Sequence, residues 1–132
     1  MPVQIGWQDS EKNIVLLSFP NKWDWKEFKE AATETAKLVG EVRHMVDIIL
    51  DLKNSSIPLT GSPFEAGNMF FKMMPPNRGV IIVVTNSFIR SLASIFKTID
   101  REFGALLYPV DTLDEGVAVA VAQQAHRPAV RS

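Results

Sequence analysis

Two short runs of branched apolar residues, Val46-Asp47-Ile48-Ile49-Leu50-Asp51-Leu52 and Val80-Ile81-Ile82-Val83-Val84, flank a strong helix start, and this arrangement narrows the fold most. Runs this short and this rich in branched side chains read as strands covered on both faces, as in parallel sheets. Between them, Ser62-Pro63-Phe64-Glu65 stacks three helix-start signals: an N-cap serine, a proline at the first position and a glutamate at the third. Pro75-Pro76 stops that helix near Met73. A strand, a helix and a strand in this order form a parallel unit with a right-handed crossover.

The alternation extends to both sides. Val3 to Trp7 alternates with a period of two, Gln8 to Asn13 is a polar turn, and Ile14 to Phe19 is a second strand, so the pair predicts an antiparallel hairpin. Asp24 caps a helix with Glu27 three residues on, and Trp25, Phe28, Ala32, Thr35, Ala36 and Val39 mark its apolar face. Gly40 stops it. After Val84 a helix is expected from about Ser87 to Phe103, with Phe88, Leu92, Ile95, Ile99 and Phe103 turned inward. Leu106 to Val110 is a last strand, placed near an edge by Pro109. Thr112-Leu113-Asp114-Glu115 is a capping box that opens a helix to about Gln124. The expectation is one α/β domain over residues 1–125, with a mixed, mostly parallel sheet of about five strands, an antiparallel N-terminal strand and four helices. Residues 126–132 read as a flexible tail.

Composition agrees and removes several function classes. A chain of 132 residues suits one domain, and 46% apolar with 22% charged residues excludes disorder of the whole chain. A net charge of −1 gives no basic bias with which to grip nucleic acid. The absence of cysteine excludes disulfides, thiol nucleophiles and thiolate metal sites. The N-terminus has no basic and then apolar leader, and no apolar run approaches the ~20 residues of a membrane span, so a cytoplasmic location is expected.

Motifs for chemistry are absent. No two glycines are two apart, which removes G-x-G-x-x-G, and no lysine follows Gly61 and Gly67 to make a P-loop. His44 and His126 cannot form H-E-x-x-H. Asp47 and Asp51 share one face of a strand, a spacing open to acid–base work. It equally suits a solvated strand start at Asp47 and a loop acceptor at Asp51. A non-enzymatic protein without cofactor or metal is therefore expected.

Two surfaces stand out as recognition candidates. Ligands of open α/β sheets lie beyond the carboxyl ends of the strands, and that edge would gather Asn21, Asp51, Asn54, Asn86 and Ser87, which are also ordinary cap and turn residues. The second is the run Met69-Phe70-Phe71-Lys72-Met73-Met74. A helix cannot bury every side of it against one sheet, so Phe70, Phe71, Met73 and Met74 are open to three readings: a dimer or partner patch, the mouth of an apolar pocket, or a helix end tucked against a neighbour. With Trp25 on the inner helix face, Trp23 is expected at the surface.

The element order resembles that of STAS domains, the SpoIIAA-like fold of anti-sigma-factor antagonists, over about residues 3–124. The likeness is carried by Val46–Leu52 ending in Asp-Leu, by Ile81-Ile82-Val83-Val84-Thr85-Asn86, by Val110-Asp111-Thr112-Leu113-Asp114-Glu115, and by Trp23-Asp24-Trp25 with Phe28, which is similar to a bacterial branch of STAS-like proteins. The resemblance implies a module that binds a protein partner, itself included as a homodimer, in bacterial regulation. It also implies a phosphorylatable hydroxyl where the loop enters the second helix. Here the family's Asp falls on Leu59 and its serine on Thr60, so Thr60 and Ser62 are the candidate phospho-sites. STAS-like folds also resemble Sec14-type lipid-binding domains, which implies the alternative of a carrier for a small apolar ligand or lipid.

Overall fold

The computed structural model describes residues 3–58, 60–99 and 104–127. Five strands, β1 (Gln4–Trp7), β2 (Ile14–Ser18), β3 (Val46–Asp51), β4 (Arg78–Val84) and β5 (Leu107–Val110), form one sheet in sequential order. β1 runs antiparallel to β2, and every later pairing is parallel. The described helices are α1 (Trp25–Gly40), α2 (Pro63–Met73), α3 (Ser87–Ile99) and α4 (Leu113–Ala125). The expected α/β architecture is the observed one.

Sequential order decides how the layers fill. Right-handed crossovers that always step to the next strand place α1, α2 and α3 on the same face. That face holds the larger core, with Val15, Leu17, Ile48, Leu50, Ile81, Val83 and Leu107 pointing into it from the strands. α4 follows the last strand and folds back across the other face, over Ile49, Val80, Ile82 and Val110. A Cβ on Gly116 would stand 3.2 Å from Ile82 Cγ2, so Gly116 and Ala120 let α4 lie close to the sheet.

The capping signals operate as read. Asp24 Oδ1 accepts from Glu27 N (2.8 Å), Ser62 Oγ from Glu65 N (3.3 Å) and Thr112 Oγ1 from Glu115 N (3.1 Å). In the hairpin, Asp9 Oδ1 accepts from both Asn13 N and Ile14 N, and His44 Nε2 donates to the Lys12 carbonyl (2.7 Å), bracing a turn in which Lys12 has φ 60°.

Three expectations need correction. α3 turns Ile89 and Ala93 inward and leaves Phe88 and Ile95 62% and 49% exposed; Phe103 lies outside the described residues. The expected stripe and the observed one are a residue apart. Asn86 selects between them, because its Oδ1 caps the helix at Ile89 N (3.0 Å) while its Nδ2 donates to the Lys53 and Ser55 carbonyls. Asp47 is not at a solvated strand start but fully buried. Lastly, the tail expected from residue 126 is held at its start, since Arg127 clamps Asp47 through Nη2–Oδ1 (2.6 Å) and Nη1–Oδ2 (3.0 Å). Residues 128–132 lie outside the described part.

Candidate functional site

The site begins with the chain's return from β2 into α1. Pro20 and Asn21 end the strand, and Asp24 starts the helix, so Trp23 occupies the position just before the N-cap and Phe28 the fourth helical position. Apolar residues at these two places pack on each other and fix the angle of entry. Trp23 and Phe28 do so, with ring centroids 5.9 Å apart. Phe19 closes on Trp23 at 5.0 Å, and Trp25 stands perpendicular to Trp23 at 5.1 Å and to Phe28 at 5.7 Å. Trp23 is therefore 8% exposed and belongs to the core, against the expectation of a surface aromatic. The staple spacing was the sequence signal that placed it.

This aromatic group forms one wall of a cavity of about 110 Å3. Leu50 and Leu52 at the carboxyl end of β3, Val83 near that of β4 and Leu107 at the start of β5 form its floor; Ile57, Pro63, Phe64 and Ala66 form a second wall; Ile89, Leu92 and Ala93 of α3 form a third. The lining side chains are apolar. Trp23 Nε1 is buried and has no acceptor among the described residues. The other indole is satisfied, since Trp25 Nε1 donates to the Thr60 carbonyl. Gly61, at φ 80°, lies against that indole: a Cβ there would stand 3.0 Å from Trp25 Nε1. The loop before α2 is thereby laid over Trp25, and a shallow groove lined by Trp25, Lys29, Ser62, Glu65 and Met69 continues from the cavity.

The residues singled out in the sequence fall around this cavity in unequal roles. Thr60 is exposed, whereas the Ser62 hydroxyl is engaged as the α2 cap. Asn21, Asn54 and Ser87 are exposed at the strand-end edge. Asp51 and Asn86 turn their polar atoms to the loops there, Asp51 Oδ1 accepting from Lys53 N (3.2 Å). Buried Ser55, which sequence reading passed over, ties the same loops by donating to the Phe19 and Pro20 carbonyls.

Of the three readings of the Phe/Met run, the observed packing is the helix end tucked against a neighbour. Phe70, Phe71 and Met74 are buried within the chain and Met73 is half-buried. Because α1 and α2 lie side by side on one face, α2 has a helix as well as the sheet to pack on. Phe70 meets Phe28 at 5.8 Å, and the Arg78 guanidinium covers the Phe71 ring at 4.1 Å.

Asp47 is buried and Asp51 half-buried, and each is already engaged within the chain. Asp47 accepts from Val80 N (2.9 Å) as well as from Arg127, and Gln124 Nε2 lies 3.5 Å from its Oδ2. Among the described residues no group of three or more His, Asp or Glu side chains could hold a metal ion, and no helix is long and apolar enough to cross a membrane. In comparisons with known proteins, the chain matches no family model and no curated sequence.

Proposed function

We propose that the chain binds a small apolar molecule in the cavity between α1, α2 and α3. The observation that carries this reading is the cavity: preformed, lined by apolar side chains, and placed at the strand ends where open α/β sheets take their ligands. A ligand of one ring or a short chain would take this apolar lining out of water, a gain that scales with the apolar area covered. The Sec14-type resemblance supports the same reading. Toluene is the probe. It is expected to raise the melting temperature of the wild type and to leave Ala93→Leu, whose added side chain fills the cavity, unmoved. No rise in the wild type rejects the reading.

A partner-binding role, which the STAS resemblance implies, is favoured by a different observation, the exposed Phe88 and Ile95 on α3. The partner to test is a second copy of the chain. Light scattering should then show a dimer in the wild type and a monomer in Phe88→Ser, and a monomeric wild type rejects it.

A further inference from the structure

We propose that β1 is the interface of a homodimer, in which the β1 strands of two copies pair antiparallel about a two-fold axis at Ile5 and join the two sheets into one. The inference is independent of the cavity. It uses a surface other than the exposed Phe88 and Ile95 of α3, and one measurement separates the two contacts.

The sheet has two edges among the described residues, β1 and β5. What each offers to a new strand follows from the bonds on its inner side. Ile81 N donates to the Leu106 carbonyl and Thr85 N to the Val110 carbonyl. By alternation, β5 turns the backbone groups of Leu106, Tyr108 and Val110 to β4 and those of Leu107 and Pro109 outward. Pro109 has no N–H, so the outer side of β5 lacks a donor that a further strand would need, and this protects the edge. At β1, Gln8 N donates to the Ile14 carbonyl, and the register carries that pattern to Gly6 opposite Leu16 and Gln4 opposite Ser18. The backbone groups of Ile5, Trp7 and the preceding Val3 therefore face away from the sheet. Residues 3–8 contain no proline and no charged side chain, so neither of the residue types that commonly block an edge stands there.

A second copy is the partner because this edge is complementary to itself. With the axis at Ile5, Val3 stands opposite Trp7 of the second copy and Ile5 opposite Ile5, so the outward backbone groups of all three meet as donor and acceptor. Their side chains share the face covered by α1, where Val3 is buried and Ile5 and Trp7 pack half-buried against the larger core. Across the axis they form aromatic and β-branched pairs, a favourable cross-strand combination. On the other face Gln4 falls opposite Gly6 of the second copy. A Cβ on Gly6 would meet nothing within 4 Å, so that side is open. The pairing consumes the one unprotected edge and leaves β5 outermost at both ends, which closes the assembly at two copies instead of extending it into a fibre.

The test sets like charges across the axis. Gln4 is exposed and Gly6 has free space, so Gln4→Lys/Gly6→Lys spares the core yet places each lysine opposite a lysine of the second copy. Light scattering is expected to give a dimer for the wild type and a monomer for this variant and for Gln4→Glu/Gly6→Glu, with melting curves confirming that both are folded. Mixing the two variants is expected to restore a dimer that contains one copy of each, since opposite charges then face each other. Ile5→Pro removes an outward N–H while leaving the bonds to β2 in place, and is expected to be monomeric as well. A monomeric wild type overturns the inference, as does a mixture that stays monomeric. A dimer kept by the lysine variant and lost in Phe88→Ser overturns it in favour of α3.

Discussion

Asp47 has no exposed surface, so its stability in the fold depends on partners for both oxygens. Val80 N and the two Arg127 nitrogens supply them, while Arg127 itself keeps 18% of its side chain in solvent. Removing the arginine leaves a buried carboxylate with its charge unmet, so Arg127→Ala is expected to lower the unfolding free energy by about 3–5 kcal/mol. Urea denaturation checks this, with a lower midpoint at unchanged slope. Gly79 belongs to the same unit, since a Cβ on it would lie 2.1 Å from Asp47 Oδ1 and 2.5 Å from Arg127 Nη2. Gly79→Ala should therefore be destabilising by displacing the ion pair, although alanine is the better residue for regular backbone. None of this was legible in the chain. An aspartate inside an apolar run looks the same whether it meets water or an arginine eighty positions later, and Arg127 lies beyond the last periodic segment.

At the level of elements, the sequence carried the starts and stops but not every rotation. Capping residues act through bonds to amides two or three positions away, so Asp24, Ser62 and Thr112 could be read locally, and the helices begin where those residues put them. The inward face of α3 depends on its setting against β5 and on Asn86, which is fixed by loop carbonyls more than thirty positions earlier. The segment Ser87-Phe88-Ile89-Arg90-Ser91-Leu92-Ala93-Ser94-Ile95 offers two apolar stripes one residue apart, and periodicity alone does not choose. Alanine substitution separates them. Ile89→Ala should cost about 2–5 kcal/mol as a core truncation, and Ile95→Ala should stay within about 0.5 kcal/mol as a surface change. Thermal or urea unfolding of the two variants checks the assignment, and the reverse order would return α3 to the stripe expected from periodicity. The Phe/Met run was left with three readings for a related reason. The choice of a helix end tucked against α1 follows from strand order and crossover hand together, which periodicity does not carry.

Across the whole molecule, the cavity and the buried ion pair occupy opposite faces and opposite ends of the sheet. The cavity opens among α1, α2 and α3 toward the carboxyl ends of β3 and β4. The ion pair ties the end of α4 to the beginning of β3 and β4 on the other face. They share no side chain, and changes at separate sites without shared partners add. Filling the cavity with Ala93→Leu removes a void rather than a contact, so it should raise stability by about 0.5–2 kcal/mol, the usual gain from cavity filling, while abolishing the toluene-induced shift. Arg127→Ala should do the opposite, lowering stability while leaving the dissociation constant for toluene as in the wild type. The double variant should then show the sum of the two stability changes and no toluene response. Calorimetric melting of the four proteins with and without toluene measures all of this in one set. A binding loss in Arg127→Ala under conditions where it is folded would show instead that the two ends are coupled through β3 and β4, the strands that contribute to both.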